Sequence, residues 1–252
     1  MHFYKENGDP FHYVKMTSKE GLRPVTIRDV RRLWKDGTFV VPSVTTILNI
    51  YDKSGLNNWR IDQHLNQAYD LDKESLTIEE YKKEIKRLTA IQLDLAPSAG
   101  TNFHKLMEDF VSGNMKNNAS DEDYMFCESV YQTILSETGS KNFKTETNFS
   151  SDLFGGQVDL HNDDWIIDYK TKQTADKFKP KKMIYIDHSM QLSAYRFGLN
   201  IPQAKCVNVF VCLEKNKPQI DFHIHDEEQL KKGGKLFSLA TKVWHIKNPK
   251  ES

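Results

Sequence analysis

Cysteine is scarce in this chain: three in 252 residues, at positions 127, 206 and 212, with no CxxC pair. That spacing excludes a disulfide framework and fits a reducing compartment. Charge of one sign is also missing, since 35 basic residues balance 35 acidic ones for a formal net charge of zero. A neutral total does not advertise nucleic-acid binding, so any contact with a polyanion must come from a local patch. No apolar run approaches membrane-spanning length, so no membrane association is expected. The opening Met1-His2-Phe3-Tyr4-Lys5-Glu6 is neither a signal peptide nor an arginine-rich transit peptide, and an intracellular, cytoplasmic location is expected. Several chemistries lack their motifs. Gly233-Gly234-Lys235 runs into Leu236 instead of Ser or Thr, with no strand leading into it, so neither a P-loop nor ATP use is expected. The nine histidines contain no HExxH, and His223-Ile224-His225 reads as an alternating strand pair. There is no G-x-S-x-G elbow, and Cys127 has no recognisable partners for nucleophilic catalysis.

What is present is enough to build a core: 38% hydrophobic residues, with 14 Phe, 10 Tyr and 4 Trp. The length fits one large domain, or a core with an added helical region. Residues 1 to about 40 are the least informative, although Thr26 suits the cap of a short helix through Lys35 closed by Gly37. Ser43 after Pro42 reads as another N-cap, and residues 54–71 as a helix of mixed polarity. Thr77-Ile78-Glu79-Glu80 is a capping box for a helix to about residue 95, where Pro97-Ser98 is expected to stop it and start the next. That next helix, to residue 111, carries Phe103, Leu106, Met107 and Phe110 at helical spacing, with His104 beside the stripe. Ser120-Asp121 opens a helix ended by Gly139.

Strands follow. Residues 143–150 alternate Phe143, Thr145, Thr147 and Phe149 with Lys144, Glu146 and Asn148, which predicts one apolar and one polar face. Glu146 then lies on the polar phase, either as a surface residue or reaching a site. Residues 153–161 and 164–171 read as strands, 186–199 as a helix, 205–213 and 219–225 as strands, and Asp226 as the cap of a last amphipathic helix to about 246. Strands interleaved with helices predict an α/β fold with a central mixed sheet, preceded by a helical region over residues 1–97 and continuing as a core over 98–252.

The residues that carry chemistry sit in two adjacent strands. Asp159 ends Gly156-Gln157-Val158-Asp159, and Asp168-Tyr169-Lys170 lies in the next run. Side chains alternate along a strand, so Asp168 and Lys170 share a face. Asn162-Asp163 is turn chemistry that folds the runs into a hairpin and brings Asp159 near Asp168. Two hard oxygen donors suit a divalent cation, and a neighbouring lysine can orient an attacking water, which points to metal-dependent phosphodiester hydrolysis. Lys170, Lys172, Lys177, Lys179, Lys181 and Lys182 cluster here, either as a solvated loop or as phosphate contacts.

Gly156-x-x-Asp159, Asp168-x-Lys170, Gln191-x-x-x-Tyr195 and the upstream Gly100-x-x-x-His104 together resemble the PD-(D/E)xK nuclease superfamily, and within it the RecB-like exonuclease branch. Pro42-Ser43-Val44-Thr45-Thr46-Ile47-Leu48, with Lys53, Leu56 and Trp59, is similar to the mitochondrial genome maintenance exonuclease group and its phage relatives. Val158 stands where proline is common. The resemblance implies a restriction-endonuclease-like core and a DNA exonuclease acting in replication, recombination or genome processing. It implies Mg²⁺ or Mn²⁺ held by His104, Asp159, Asp168 and the backbone carbonyl of Tyr169, with Lys170 orienting water and Gln191 and Tyr195 beside the scissile phosphate. Read alone, His104 is a half-buried core histidine, Gln191 and Tyr195 are ordinary helix residues, and Trp59 and Tyr169 either stack on bases or pack in the core. Some relatives hold an iron–sulfur cluster through a C-terminal cysteine trio; none follows Cys212, so no cluster is expected. The helices over 1–97 imply a passage for single-stranded DNA with a free end. The alternatives are a structure-selective endonuclease and a non-catalytic nucleic-acid-binding recombination accessory protein.

Overall fold

The computed structural model describes residues 1–16, 20–51, 54–72, 76–115, 119–215 and 219–250. Its centre is a five-stranded mixed sheet of β5 (Lys144–Ser150), β6 (Gly155–His161), β7 (Trp165–Lys172), β8 (Lys205–Cys212) and β9 (Ile220–His225), in that spatial order. Neighbours are antiparallel except β7 and β8, which run parallel because α6 (Ile186–Gly198) carries the chain back between them. Among the described residues no helix is long and apolar enough to cross a membrane.

Two cores cover the two faces of this sheet. On one side Val158, Ile166 and Cys206 pack with Leu192 of α6, Phe237 and Trp244 of α7 (Glu227–Lys247), and Phe3, Val30, Val40 and Ile47. On the other, Leu160, Ile167, Tyr169 and Val209 pack with Phe103 and Met107 of α4 (Ile78–Val111) and Val130 and Ile134 of α5 (Asp121–Thr138). Gly233 sets how closely α6 and α7 approach, since a Cβ there would lie 2.6 Å from the Ser189 carbonyl group. Its place in the middle of α7 is thus a packing device.

The first 97 residues, expected to be mainly helical, also carry short strands. Four three-residue strands occur there: β1 (Phe3–Lys5) pairs with β4 (Val40–Pro42), and β2 (Tyr13–Lys15) with β3 (Leu22–Pro24). Three residues are too few for a period-two pattern to register in sequence. The helices in this stretch are α1 (Ile27–Lys35), where the Thr26 backbone N–H donates to Asp29 at 2.9 Å, α2 (Val44–Leu48), α3 (Ser54–Asp70) and the first part of α4. Ser43 caps α2 by accepting from the Thr46 backbone at 2.9 Å. Lys53 lies outside the described residues, as does the side chain of Leu56; Trp59 is half-buried on α3.

Two further expectations are corrected. The helix opened by Thr77 does not stop at Pro97-Ser98: α4 continues to Val111, so the expected boundary at 97/98 falls inside one helix. Proline withdraws one N–H from the ladder, and the helix resumes beyond it. Residues 143–150 also do not keep one alternation. Phe143 lies in the α4/α5 core and Phe149 in the opposite one, because Glu146 takes the left-handed conformation (φ 47°) and turns the strand over.

Candidate active site

The local backbone explains why the acids meet. The β6–β7 ladder consists of two pairs, Leu160 with Ile167 and His161 with Ile166, and beyond them the strands part. The next opposed residues are Asp159 and Asp168. The Tyr169 backbone N–H finds its acceptor in the Asp159 side chain instead, at 2.8 Å from Oδ2. On its other side β6 pairs with β5 at every step from 144 to 150 except that of Glu146 opposite Asp159. Val158 and Leu160 accordingly face different cores, so β6 turns over at Asp159 as β5 does at Glu146. The acids therefore occupy a gap in the sheet that side chains from both faces can reach.

From the α4 side, His104 Nδ1 lies 3.2 Å from Asp159 Oδ1. His104, Glu146 and Asp159 each offer one ligand atom, and these atoms lie within 4.8 Å of one another. From the α6 side, Gln191 Nε2 donates to Asp168 Oδ1 at 2.8 Å and to the Tyr195 hydroxyl at 2.7 Å. The Lys170 ammonium bridges Asp168 Oδ2 at 2.5 Å and Gln191 Oε1 at 3.2 Å. Within the sheet, Asn208 Nδ2 donates to Asp168 Oδ2 at 2.7 Å, and Asn208 Oδ1 meets His225 Nε2 at 2.7 Å. Asp159, Asp168 and Gln191 are buried, whereas the His104 and Lys170 side chains are 32% and 24% exposed.

The electrostatics divide the acids. Burial alone would raise the Asp159 pKa, but the His104 ring, the Tyr169 N–H and Lys170 outweigh it and hold the carboxyl below its usual range. Burial and the charge of Asp159 push Asp168 up against the pull of Lys170, and Gln191, Asn208 and Lys170 all donate to its oxygens. Burial and the charge of Asp159 push Glu146 up to about 7. Burial would lower His104, yet contact with Asp159 raises it to about 9. Burial would likewise lower Lys170, and the Asp168 carboxylate raises it instead. Three carboxylates and one imidazole thus converge here, and this mixed oxygen and imidazole donor set fits a divalent cation.

The expected site residues His104, Asp159, Asp168, Lys170, Gln191 and Tyr195 are brought into one cluster. Glu146 converges with His104 and Asp159, whereas Asp168 is engaged by Lys170, Gln191 and Asn208. The Tyr169 ring is not available for base stacking, since it is buried against Phe103 with ring centroids 5.4 Å apart. Sequence reasoning passed over Asn208 and read His225 only as one of an alternating strand pair. The available signal was Asn208 itself, a polar residue between Val207 and Val209 in a strand whose neighbours are all buried. Tyr4 was passed over too: it covers Gly155, where a Cβ would lie 2.6 Å from the Tyr4 Cβ, so β1 closes over the start of the Gly156-x-x-Asp159 run.

A separate, largely apolar cavity of about 710 Å³ lies between α6, α7 and residues 151–154, lined by Phe154, Phe197, Phe237 and Thr241 among others. It shares no lining residue with the carboxylate cluster.

No family model matches the chain. No curated protein matches it either. Among solved structures, a candidate exonuclease from Eubacterium rectale is similar over 61% of this chain and 69% of its own, at 10% identity and a TM-score of 0.43. The crystal structure of SSO0001 is similar over 73% of this chain and 85% of its own, at 17% identity and a TM-score of 0.29. Likeness of that degree assigns neither a shared fold nor a shared activity, and the chemistry is argued from the side chains alone.

Proposed function

We propose that this protein is a metal-dependent nuclease of the PD-(D/E)xK type, with β5–β9 and the helices on them as a restriction-endonuclease-like core of the RecB-like branch. The observation that supports it most is the gap between β6 and β7, where Asp159 and Asp168 sit side by side with Lys170 on Asp168. His104, Glu146 and Asp159, with Asp168 beside them, would hold Mg²⁺ or Mn²⁺. A bound divalent cation polarises the scissile phosphodiester and offsets the charge that develops on it.

The side chains supply the rest. Lys170 is a protonated donor whose Nζ is tethered by Asp168 and Gln191, so it orients the attacking water and stabilises charge on phosphate oxygen. Gln191 and Tyr195 fix that tether from α6. Exposed Lys172 at the end of β7, and Lys177, Lys179, Lys181 and Lys182 between β7 and α6, supply backbone-phosphate contacts.

The substrate in this reading is single-stranded DNA with a free end. Ile61, Leu65 and Tyr69 are exposed at four-residue spacing on α3, and Ile91 and Leu95 are exposed on α4. Such a surface gives unpaired bases apolar contact without sequence preference. End-labelled linear DNA and the same sequence as a closed single-stranded circle, incubated with Mg²⁺, test the reading. The linear strand should be degraded and the circle spared. Rapid nicking of the circle would establish an endonuclease, and tight binding without cleavage of either an accessory protein.

A further inference from the structure

We infer that Asn208 and His225 are positioning residues that lock the Asp168 carboxylate, with His225 acting through the amide of Asn208. The inference rests on the nuclease reading for its consequence, but its geometry stands on the polar network alone.

The network assigns its own hydrogens. An ionised carboxylate only accepts, so the group that Asn208 turns towards Asp168 Oδ2 at 2.7 Å must be its NH₂. Its carbonyl oxygen therefore faces His225 Nε2, also at 2.7 Å, and a carbonyl oxygen also only accepts. His225 must then carry its proton on Nε2 and leave Nδ1 bare, and Nδ1 is indeed buried without a partner. Burial holds this ring neutral, with its pKa pushed down to about 4. One tautomer of one edge-strand histidine thus sets which way the Asn208 amide points.

Counting lone pairs gives the consequence for Asp168. Oδ2 accepts from Asn208 and from Lys170, which uses both of its lone pairs. Oδ1 accepts from Gln191 and keeps one lone pair free. Asp168 can therefore offer a cation or a water one oxygen, Oδ1, without displacing a donor. If Asn208 were reversed, its carbonyl oxygen would oppose Oδ2 across a buried contact, and the carboxylate would rotate to escape it. The three residues are 3% (Asp168), 0% (Asn208) and 5% (His225) exposed, so water cannot substitute for a missing partner.

Nitrogen-15 NMR of the histidine rings in the metal-free protein reads the tautomer directly, with activity measured in parallel. The wild type should show His225 fixed as the Nε2–H form, and Asn208→Ala should release it to a mixture. His225→Ala should lower kcat by about 10- to 100-fold with KM little changed, the scale for losing a group that orients a ligand. His225→Gln, which can place an N–H near the same point, should recover most of that loss and shows that folding is not the cause. A wild-type His225 that is Nδ1–H or tautomerically averaged would overturn the inference, as would a normal kcat in a folded His225→Ala. A wild type that cleaves no DNA while keeping the fixed tautomer would count against the nuclease reading and for the network.

Discussion

Glu146 and Asp159 stand opposite each other on β5 and β6 at the one step where these strands do not pair, and there Glu146 adopts φ 47°. A left-handed backbone at a residue with a Cβ costs about 1–2 kcal/mol, and here it delivers a third donor to the His104–Asp159 pair.

Two substitutions at that position separate strain from function. Glu146→Gly removes the donor and the Cβ, whereas Glu146→Ala removes only the donor. The glycine variant should be the more stable by about 1 kcal/mol in urea unfolding. Both should bind Mn²⁺ more weakly than the wild type. An alanine variant as stable as the glycine one would show that the backbone is not strained.

The paired glycines of α7 should respond in opposite directions. Alanine at 233 drives a Cβ to within 2.6 Å of the Ser189 backbone, two residues from Gln191, so Gly233→Ala should cost about 1–3 kcal/mol and reduce turnover. At 234 the nearest atom is 3.6 Å away, so Gly234→Ala should be neutral or stabilising by up to about 1 kcal/mol. Denaturation midpoints of the two variants check this.

Much of the fold was legible because its signals are local. Thr77 with Glu80, Ser120 and Asp226 marked helix starts, and each cap is present. Asp168 and Lys170 were placed on one face by strand period alone. The face reversal at Glu146 was not legible, since it depends on Asp159 leaving the ladder at the same step. The continuation of α4 through Pro97 was missed because proline marks a helix boundary only as a tendency. The role of Asn208 follows from its neighbours on β7 and β9, which lie 40 and 17 residues away in sequence.

Acid should weaken the fold near neutrality. Burial lowers His188 to about 3 and His225 to about 4, and it lowers His12, beside His2, to about 4. The unfolded chain takes up protons near 6.5 while these rings stay neutral, so their stabilisation is complete above that pH. It is lost as pH falls from about 6.5 towards 4. His104, raised to about 9, and Glu146, raised to about 7, work the other way and offset a part. For His188 and His225 the loss at pH 5 is about 1–2 kcal/mol each. Urea midpoints should therefore drop between pH 7 and pH 5, and an unchanged midpoint would contradict the burial of these rings.

Lys170→Ala tests the central claim most directly, because it removes the oriented ammonium and leaves His104, Glu146 and Asp159 in place. The wild type and the variant are compared for Mn²⁺ binding and for single-turnover cleavage of linear single-stranded DNA, with EDTA as the blank. The expected result is similar Mn²⁺ binding in both and a cleavage rate at least about 10²-fold lower in the variant. Near-normal cleavage by Lys170→Ala, or cleavage by the wild type that persists in EDTA, would contradict the account.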